Sequence, residues 1–300
     1  MIYELNDKTY TKYTSLNLKI NKNYIGVFSS DDFKNILEKF NIPKHLLKTF
    51  EGRISKFESY ENFDIIAMNL IDYVNIKIST QRIFIYIDLQ KLLIFCNNKD
   101  FIKYLTDYIE TEKATFGMIL YHLFKKLTSE DLELLNGIER EILAFEDNLL
   151  SSLNDECIKY IIKTKHKLLS IKGYYEGFYN ILDGVLENKN NFFDETSIIY
   201  FKILSNKIDR LNSQTTALKD YTSQVREAYQ AQVDISLNKI MKIFTVITAI
   251  MSPLTLIVGW YGMNLNMPEY NFAYSYPIII FLSLSVIILC IIYFKKNKWF

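Results

Sequence analysis

Two long uncharged runs, close together in the last sixty residues, constrain this 300-residue chain more than any other feature. Residues 243–263 are 21 positions without a charge, and residues 271–294 are 24. A helix needs about 20 apolar residues to cross about 30 Å of hydrocarbon, so each run is long enough for one transmembrane helix. A buried core helix rarely stays uncharged for so long, and two such runs in succession predict a membrane hairpin. The expected fold class is a membrane α-helical protein with two transmembrane helices per subunit.

Basic residues set the expected orientation. Lys239 and Lys242 precede the first run, and Lys295, Lys296 and Lys298 follow the second. The loop between them, residues 264–270, carries one charge, Glu269. The positive-inside rule then places both flanks in the cytoplasm and the loop outside. The chain reads as a multi-pass protein of the cell membrane with both termini cytoplasmic. Trp260, Tyr261, Tyr274 and Tyr276 sit near the outer ends of the runs, as interfacial aromatics do, and Trp299 and Phe300 suit the inner end. The first eight residues carry Glu4, Asp7 and Lys8 where a signal peptide needs an apolar run.

The charge balance, 35 basic against 34 acidic residues, gives no reason to expect a nucleic-acid partner. Cys96, Cys157 and Cys290 are far apart and match reduced structural residues. His45, His122 and His166 are equally scattered, so no catalytic or metal cluster is expected and an enzyme is disfavoured. No organic cofactor is implied. The acids Glu139, Glu141, Glu146 and Asp147 and the run 163–167 (Lys-Thr-Lys-His-Lys) read most simply as solvated helix faces.

Residues 1–128 read as a cytoplasmic α/β domain. Segments 24–28, 63–70, 82–88 and 92–96 are rich in Ile, Val, Phe and Tyr and predict strands. Ser29, Ser30, Asp31 and Asp32 predict a helix start before 33–40, and 103–127 is helical by pattern. Residues 129–195 read as antiparallel cytoplasmic helices over about 130–153 and 155–187, closed by a polar turn at 187–191. Residues 196–242 form a stalk helix that runs into the first membrane segment with no Pro or Gly before Pro253. That single helix exceeds fifty residues, or about 80 Å at 1.5 Å per residue.

The stalk has a seam at alternating steps of four and three: Leu204, Ile208, Leu211, Thr215, Leu218, Thr222, Val225, Tyr229, Gln232 and Ser236. It is apolar at the far end and polar near the membrane. Two readings stay open, a face lining a wet passage and an imperfect bundle seam. Carried into the membrane, similar spacing gives Asn238, Met241, Phe244, Thr248, Ser252, Thr255, Gly259 and Gly262, mostly small or hydroxylated. Ile243, Val246, Ile247, Ile250, Leu254, Leu256, Ile257 and Val258 occupy the other faces. Small and hydroxylated residues also serve helix packing. What favours a pore is continuity: the stripe extends the stalk seam and ends in Gly262-Met263-Asn264 at the outer mouth. One helix encloses nothing, so a pore here requires a symmetric homo-oligomer.

The string Tyr261-Gly262-Met263-Asn264, followed by Met267-Pro268-Glu269 and a second helix ending in Lys-rich sequence and Trp299, resembles the CorA magnesium transporter family. Asn238, Met241, Lys242, Thr245, Pro253, Leu254, Thr255 and Gly259 extend the match, which is close over 235–300. The resemblance implies a funnel-shaped homopentamer in which the first membrane helices line the pore, with membrane lipid and divalent cations as further partners. It implies that Gly262, Met263 and Asn264 form the ion entrance, and that Asn264 meets Mg²⁺ through the ion's hydration shell. Mg²⁺ holds its water tightly, and a ring of carbonyl and carboxamide oxygens can bond to that water while leaving the ion free to move on. Glu269 would raise the cation concentration outside. The membrane potential, about 2.3 kcal/mol per charge per 100 mV, supplies the drive, and no ATP motif is present.

Two departures from the family pattern carry expectations. Relatives usually have Leu where this chain has Phe244 and often Met where it has Ser252, so one hydrophobic gate is expected near Met241 and Phe244, with a wetter middle pore and Asn238 at its inner end. The stalk carboxylate that holds regulatory Mg²⁺ in the family falls at Ile203 here, with Asp209 the nearest acid on that helix. Regulatory Mg²⁺ is therefore in question. The competing readings are a related Zn²⁺, Co²⁺ or Ni²⁺ transporter and a non-conducting membrane-anchored scaffold or sensor.

Overall fold

The computed structural model describes residues 2–299 apart from 7–8, 14–22, 41, 53, 73–76, 112–114, 150–154, 265–266 and 298. The chain forms two compact units, residues 1–225 and 226–300.

The first unit opens with a seven-stranded sheet. The strands are β1 (Ile2–Asn6), β2 (Thr9–Tyr13), β3 (Tyr24–Phe28), β4 (Lys56–Ser59), β5 (Phe63–Asp72), β6 (Lys77–Asp88) and β7 (Lys91–Phe95). Their order in the sheet is β2-β1-β3-β7-β6-β5-β4. Only β3 and β7 pair in parallel; every other pair is antiparallel. Four of these strands lie where the β-branched and aromatic runs predict them. The hairpin β1–β2 and the edge strand β4 carry Glu4, Asn6, Lys12, Lys56 and Glu58, and that polar composition hides them from a hydrophobicity reading.

The central strands are covered on both faces. One face packs on α1 (Phe33–Lys39) and α2 (Leu46–Glu51), with Phe33 stacked on Phe50 and edge-on to Phe84 and Phe95. The other face meets α6 (Asp155–Glu187), which packs on β4, β5 and β6. Burial on both faces explains why β5 reads as a continuous apolar run from Ile65 to Met68 instead of alternating. Gly184 permits this approach, since a Cβ there would sit 2.2 Å from the Phe57 ring. Asp88 closes the β6–β7 hairpin by accepting from the backbone N–H of Gln90 (2.8 Å) and Lys91 (2.7 Å).

The helix expected over 103–127 is two helices, α3 (Lys99–Thr111) and α4 (Phe116–Leu127). Asn98 starts the first by accepting from Asp100 and Phe101 N–H, and Thr115 starts the second by accepting from Met118 N–H. Apolar periodicity runs through both and conceals the break. Next, α5 spans Asp131–Leu149, the rest of the expected 130–153 helix lying outside the described residues, and α6 keeps its expected range. The turn after α6 uses two left-handed residues, Asn188 (φ 43°) and Asn191 (φ 54°), a conformation asparagine tolerates. Asn190 Nδ2 donates to Asp64 Oδ1 and to the Tyr60 carbonyl, both at 2.7 Å, and so ties the turn to the β4–β5 hairpin. Asp64 is fully buried, and that burial raises its carboxyl above the usual range.

A single helix, α7 (Glu195–Tyr261), runs on from this turn for 67 residues. Its seam is buried at Leu204, Ile208, Leu211, Thr215, Leu218, Thr222 and Val225 of the first unit and at Tyr229 at the start of the second. Gln214 donates to Asn136 of α5 at 3.1 Å, and Tyr221 donates to Glu146. Lys207 Nζ donates to the Thr128 carbonyl at the end of α4 (2.6 Å), where burial lowers its pKa. The polar members of the seam need no water, because Thr215 and Thr222 donate to the carbonyls of Leu211 and Leu218, each at 2.8 Å. Of the two readings of the seam, the bundle reading is the right one over 204–229.

Candidate functional site

The second unit contains the remainder of α7 and α8 (Ser275–Lys296), joined through a short 3₁₀ turn at Pro268–Asn271. Both helices are long and apolar enough to cross a membrane. The helix of the second span begins at Ser275, four residues into the expected 271–294 run, because the 3₁₀ turn occupies the first of it. At the C-terminal end of α8 Phe294 packs on Trp299, 5.4 Å between ring centroids. Lys298 and Phe300, expected at this end, lie outside the described residues, as do Leu265 and Asn266 of the loop.

The two faces of α7 differ here. The covered face carries Val246, only 4 % exposed, and the partly covered Ala249, Ile250, Pro253, Leu254, Ile257 and Tyr261. On α8 the corresponding positions are Ser275, Ile279, Ser283, Val286, Cys290 and Phe294, a run at steps of three and four. Pro253 has no N–H to give to the Ala249 carbonyl four residues back. Cys290 Sγ of α8 approaches that same oxygen at 4.0 Å, so the neighbouring helix partly satisfies what the proline leaves free.

The other face carries the stripe. Asn238, Met241, Phe244, Thr248, Ser252, Thr255, Gly259 and Gly262 are all exposed, with Met241 and Phe244 each at 62 %. An open groove follows it, lined among others by Thr248, Ser252, Thr255, Gly259 and Met263. Thr255 donates to the Met251 carbonyl at 2.8 Å, the usual use of a hydroxyl in an apolar helix. Thr248 and Ser252 make no such bond among the described residues, and both line the groove.

The stripe is not the extension of the stalk seam that its spacing suggests. Steps of three and four beyond Ser236 pass the exposed Lys239 and Ile243 and then reach 246, 250, 253 and 257, which lie on the face covered by α8. Asn238 lies two residues beyond Ser236, about 200° around a helix of 3.6 residues per turn. Composition conceals this turn, because Gln232, Ser236 and Asn238 are all polar. The face of the stalk in heptad phase with the stripe is instead the exposed row Ile203, Asn206, Arg210, Ser213, Ala217, Asp220, Gln224, Glu227, Ala231 and Asp234.

Helix α7 ends at the Gly-Met-Asn string. Gly262 N–H donates to the Val258 carbonyl at 2.8 Å, and a Cβ at 262 would lie 2.8 Å from that oxygen, closer than a side-chain carbon is found. The glycine lets the last turn close while the chain turns away. Met263 and Asn264 follow, both exposed. Glu269 is exposed beside a small cleft formed with Tyr261, Phe272, Ser275 and Ile278, and its carbonyl accepts from Ser275. In the first unit Ile203 is 54 % exposed, and among the described residues no three His, Cys, Asp or Glu side chains converge on a metal-sized site.

An α/β unit, a very long helix whose last part is membrane-length and apolar, and a second such helix after it define a membrane protein of the two-span type. The family described as CorA-like Mg²⁺ transporter protein matches residues 26–296. A cobalt/magnesium transport protein CorA from Thermotoga maritima is 23 % identical over 290 residues, covering 92 % of this chain and 82 % of the relative. A magnesium transport protein CorA from Helicobacter pylori is 30 % identical over 227 residues, covering 63 % of this chain and 71 % of the relative. The fold resembles the complete structure of the CorA magnesium transporter from Methanocaldococcus jannaschii, with a TM-score of 0.81 at 19 % identity, over all of this chain and 98 % of that one. The chain belongs to the CorA-like Mg²⁺ transporter family.

Proposed function

We propose that the chain is one subunit of a passive Mg²⁺ channel driven by the membrane potential, assembled as a symmetric homo-oligomer, a homopentamer by family resemblance. The observation that carries this reading is the exposed stripe of α7. A row of small and hydroxylated side chains lies on the face that α8 leaves uncovered, ends at Asn264, and has two hydroxyls with no partner among the described residues. Several copies around an axis would turn this row inward.

In that arrangement Gly262, Met263 and Asn264 form the outer ring. Carbonyl and carboxamide oxygens bond to the water of the arriving ion, and the absence of a carboxylate at the ring keeps binding weak enough for release. Glu269 supplies negative charge outside. Thr248, Ser252, Thr255 and Gly259 line a wet middle section. Met241 and Phe244 narrow the inner end and close it by dewetting, and Asn238 begins the polar exit. The basic flanks place both termini in the cytoplasm.

The test is flux in proteoliposomes under an inside-negative potential, with Mg²⁺ against Zn²⁺ and Co²⁺, for the wild-type chain and for Asn264→Ala. Flux of Mg²⁺ that Asn264→Ala abolishes supports the reading. Preferred Zn²⁺ or Co²⁺ flux replaces the ion, and no flux at all leaves the scaffold reading.

A further inference from the structure

The α5–α6 hairpin carries two exposed faces of opposite charge. On α5, Leu132 and Leu143 share a face with the exposed acids Glu139 and Asp147, at steps of seven, four and four. On α6, over residues 158–169, Ile158, Ile162 and Leu169 share a face with Lys165, beside the exposed Lys159 and Lys163, and the acid further along this row, Glu176, is paired with Lys172 at 3.5 Å. The five apolar side chains are between 45 and 53 % exposed. Among the described residues none of Glu139, Asp147, Lys159, Lys163 and Lys165 forms an ion pair within the chain. Elsewhere on the same two helices Lys167 and Glu141 do pair, at 3.8 Å.

We infer that the acidic α5 face of one copy docks on the basic α6 face of the next copy, head to tail around a ring. This builds on the symmetric oligomer proposed above and adds a contact outside the membrane segments. Charge selects the pairing. Packing α5 on α5 opposes acid to acid, and packing α6 on α6 opposes base to base. Only α5 on α6 covers the leucines and isoleucines while matching opposite charges at their edges. An apolar centre with a charged rim is the usual anatomy of a specific interface, and the rim fixes register and excludes wrong partners. A contact between two different faces of the same subunit is heterologous, and it closes into a ring when the rotation allows. It also gives a use to both charged runs that the sequence presents only as solvated faces.

The experiment uses the full chain in detergent micelles and measures oligomer mass on dilution. Reversal of α6 (Lys159→Glu, Lys163→Glu, Lys165→Glu) and reversal of α5 (Glu139→Lys, Asp147→Lys) should each raise the half-dissociation concentration about tenfold. All five changes in one chain should restore it to within about threefold of wild type. Separately, Leu143→Cys with Ile162→Cys should yield a ladder of covalent multimers on oxidation. Additive losses in the combined variant, no effect of either reversal, or no ladder would overturn the inference. Weaker binding of the α6 reversal to anionic vesicles, with its oligomer unchanged, would overturn it in favour of a lipid surface. A wild-type chain that forms the salt-sensitive ring and carries no Mg²⁺ would sink the channel reading while leaving this contact standing.

Discussion

Helix α7 carries two rows of side chains at the same spacing, and the chain treats them in opposite ways. Over 204–229 the row is buried against the subunit's own helices, and its threonines bond to their own backbone. Over 238–262 the row is exposed, and two hydroxyls have no partner among the described residues. A periodic row is therefore not yet a function. What separates a core seam from a candidate pore is whether the same chain already covers it. The first row is covered within one subunit, and the second is left open by it, which is what the proposed pore requires.

The largest contrast should come from Asn264→Ala. Loss of a carboxamide that bonds to a charged, hydrated ion removes about 1.5–3 kcal/mol, so Mg²⁺ flux should fall at least tenfold, with the thermal unfolding of the chain unchanged. The mirror experiment is Ile208→Ala in the buried row, where a cavity costs about 2–5 kcal/mol. Denaturant unfolding should show that loss, whereas Thr248→Ala in the exposed row should leave unfolding unaltered. Equal destabilisation by the two would erase the distinction between the rows. Next, Phe244→Gly should raise conductance measured under closed-state conditions, and unchanged conductance would remove Phe244 from the gate.

The smallest effect concerns pH and the first unit alone. Burial raises the Asp64 carboxyl above its unfolded value. A raised carboxyl favours the folded state while protonated, so its contribution is present below the ordinary carboxylate range and fades as pH rises through the folded value. Asp64→Asn keeps an acceptor for Asn190 and should flatten that decline. Melting temperatures of the two proteins across the acidic range should converge at low pH and part as pH rises.

Much of this was legible from composition and spacing. The membrane helices announce themselves by length without charge, and the central strands by β-branched runs. The Gly-Met-Asn string sits at the end of α7, where a glycine is required by the approach to the Val258 carbonyl. What escaped the sequence were features decided by partners distant in the chain. Strands β1, β2 and β4 are polar because they lie at or near the sheet edges. The restart of the helix at α4 rests on a single capping side chain, Thr115. The turn from seam to stripe between Ser236 and Asn238 is invisible because both residues are polar, and only burial tells which face is already occupied.

That turn has a consequence for how the chain tolerates changes in length. Inserting one residue between Tyr229 and Asn238 rotates everything beyond it by about 100° relative to everything before it. The stripe would then face elsewhere while each half kept its own contacts. Three or four residues nearly restore the angle and add only a turn of rise. Length in this stretch therefore works as an angular setting, and sequence drift there should be free in identity but quantised in number.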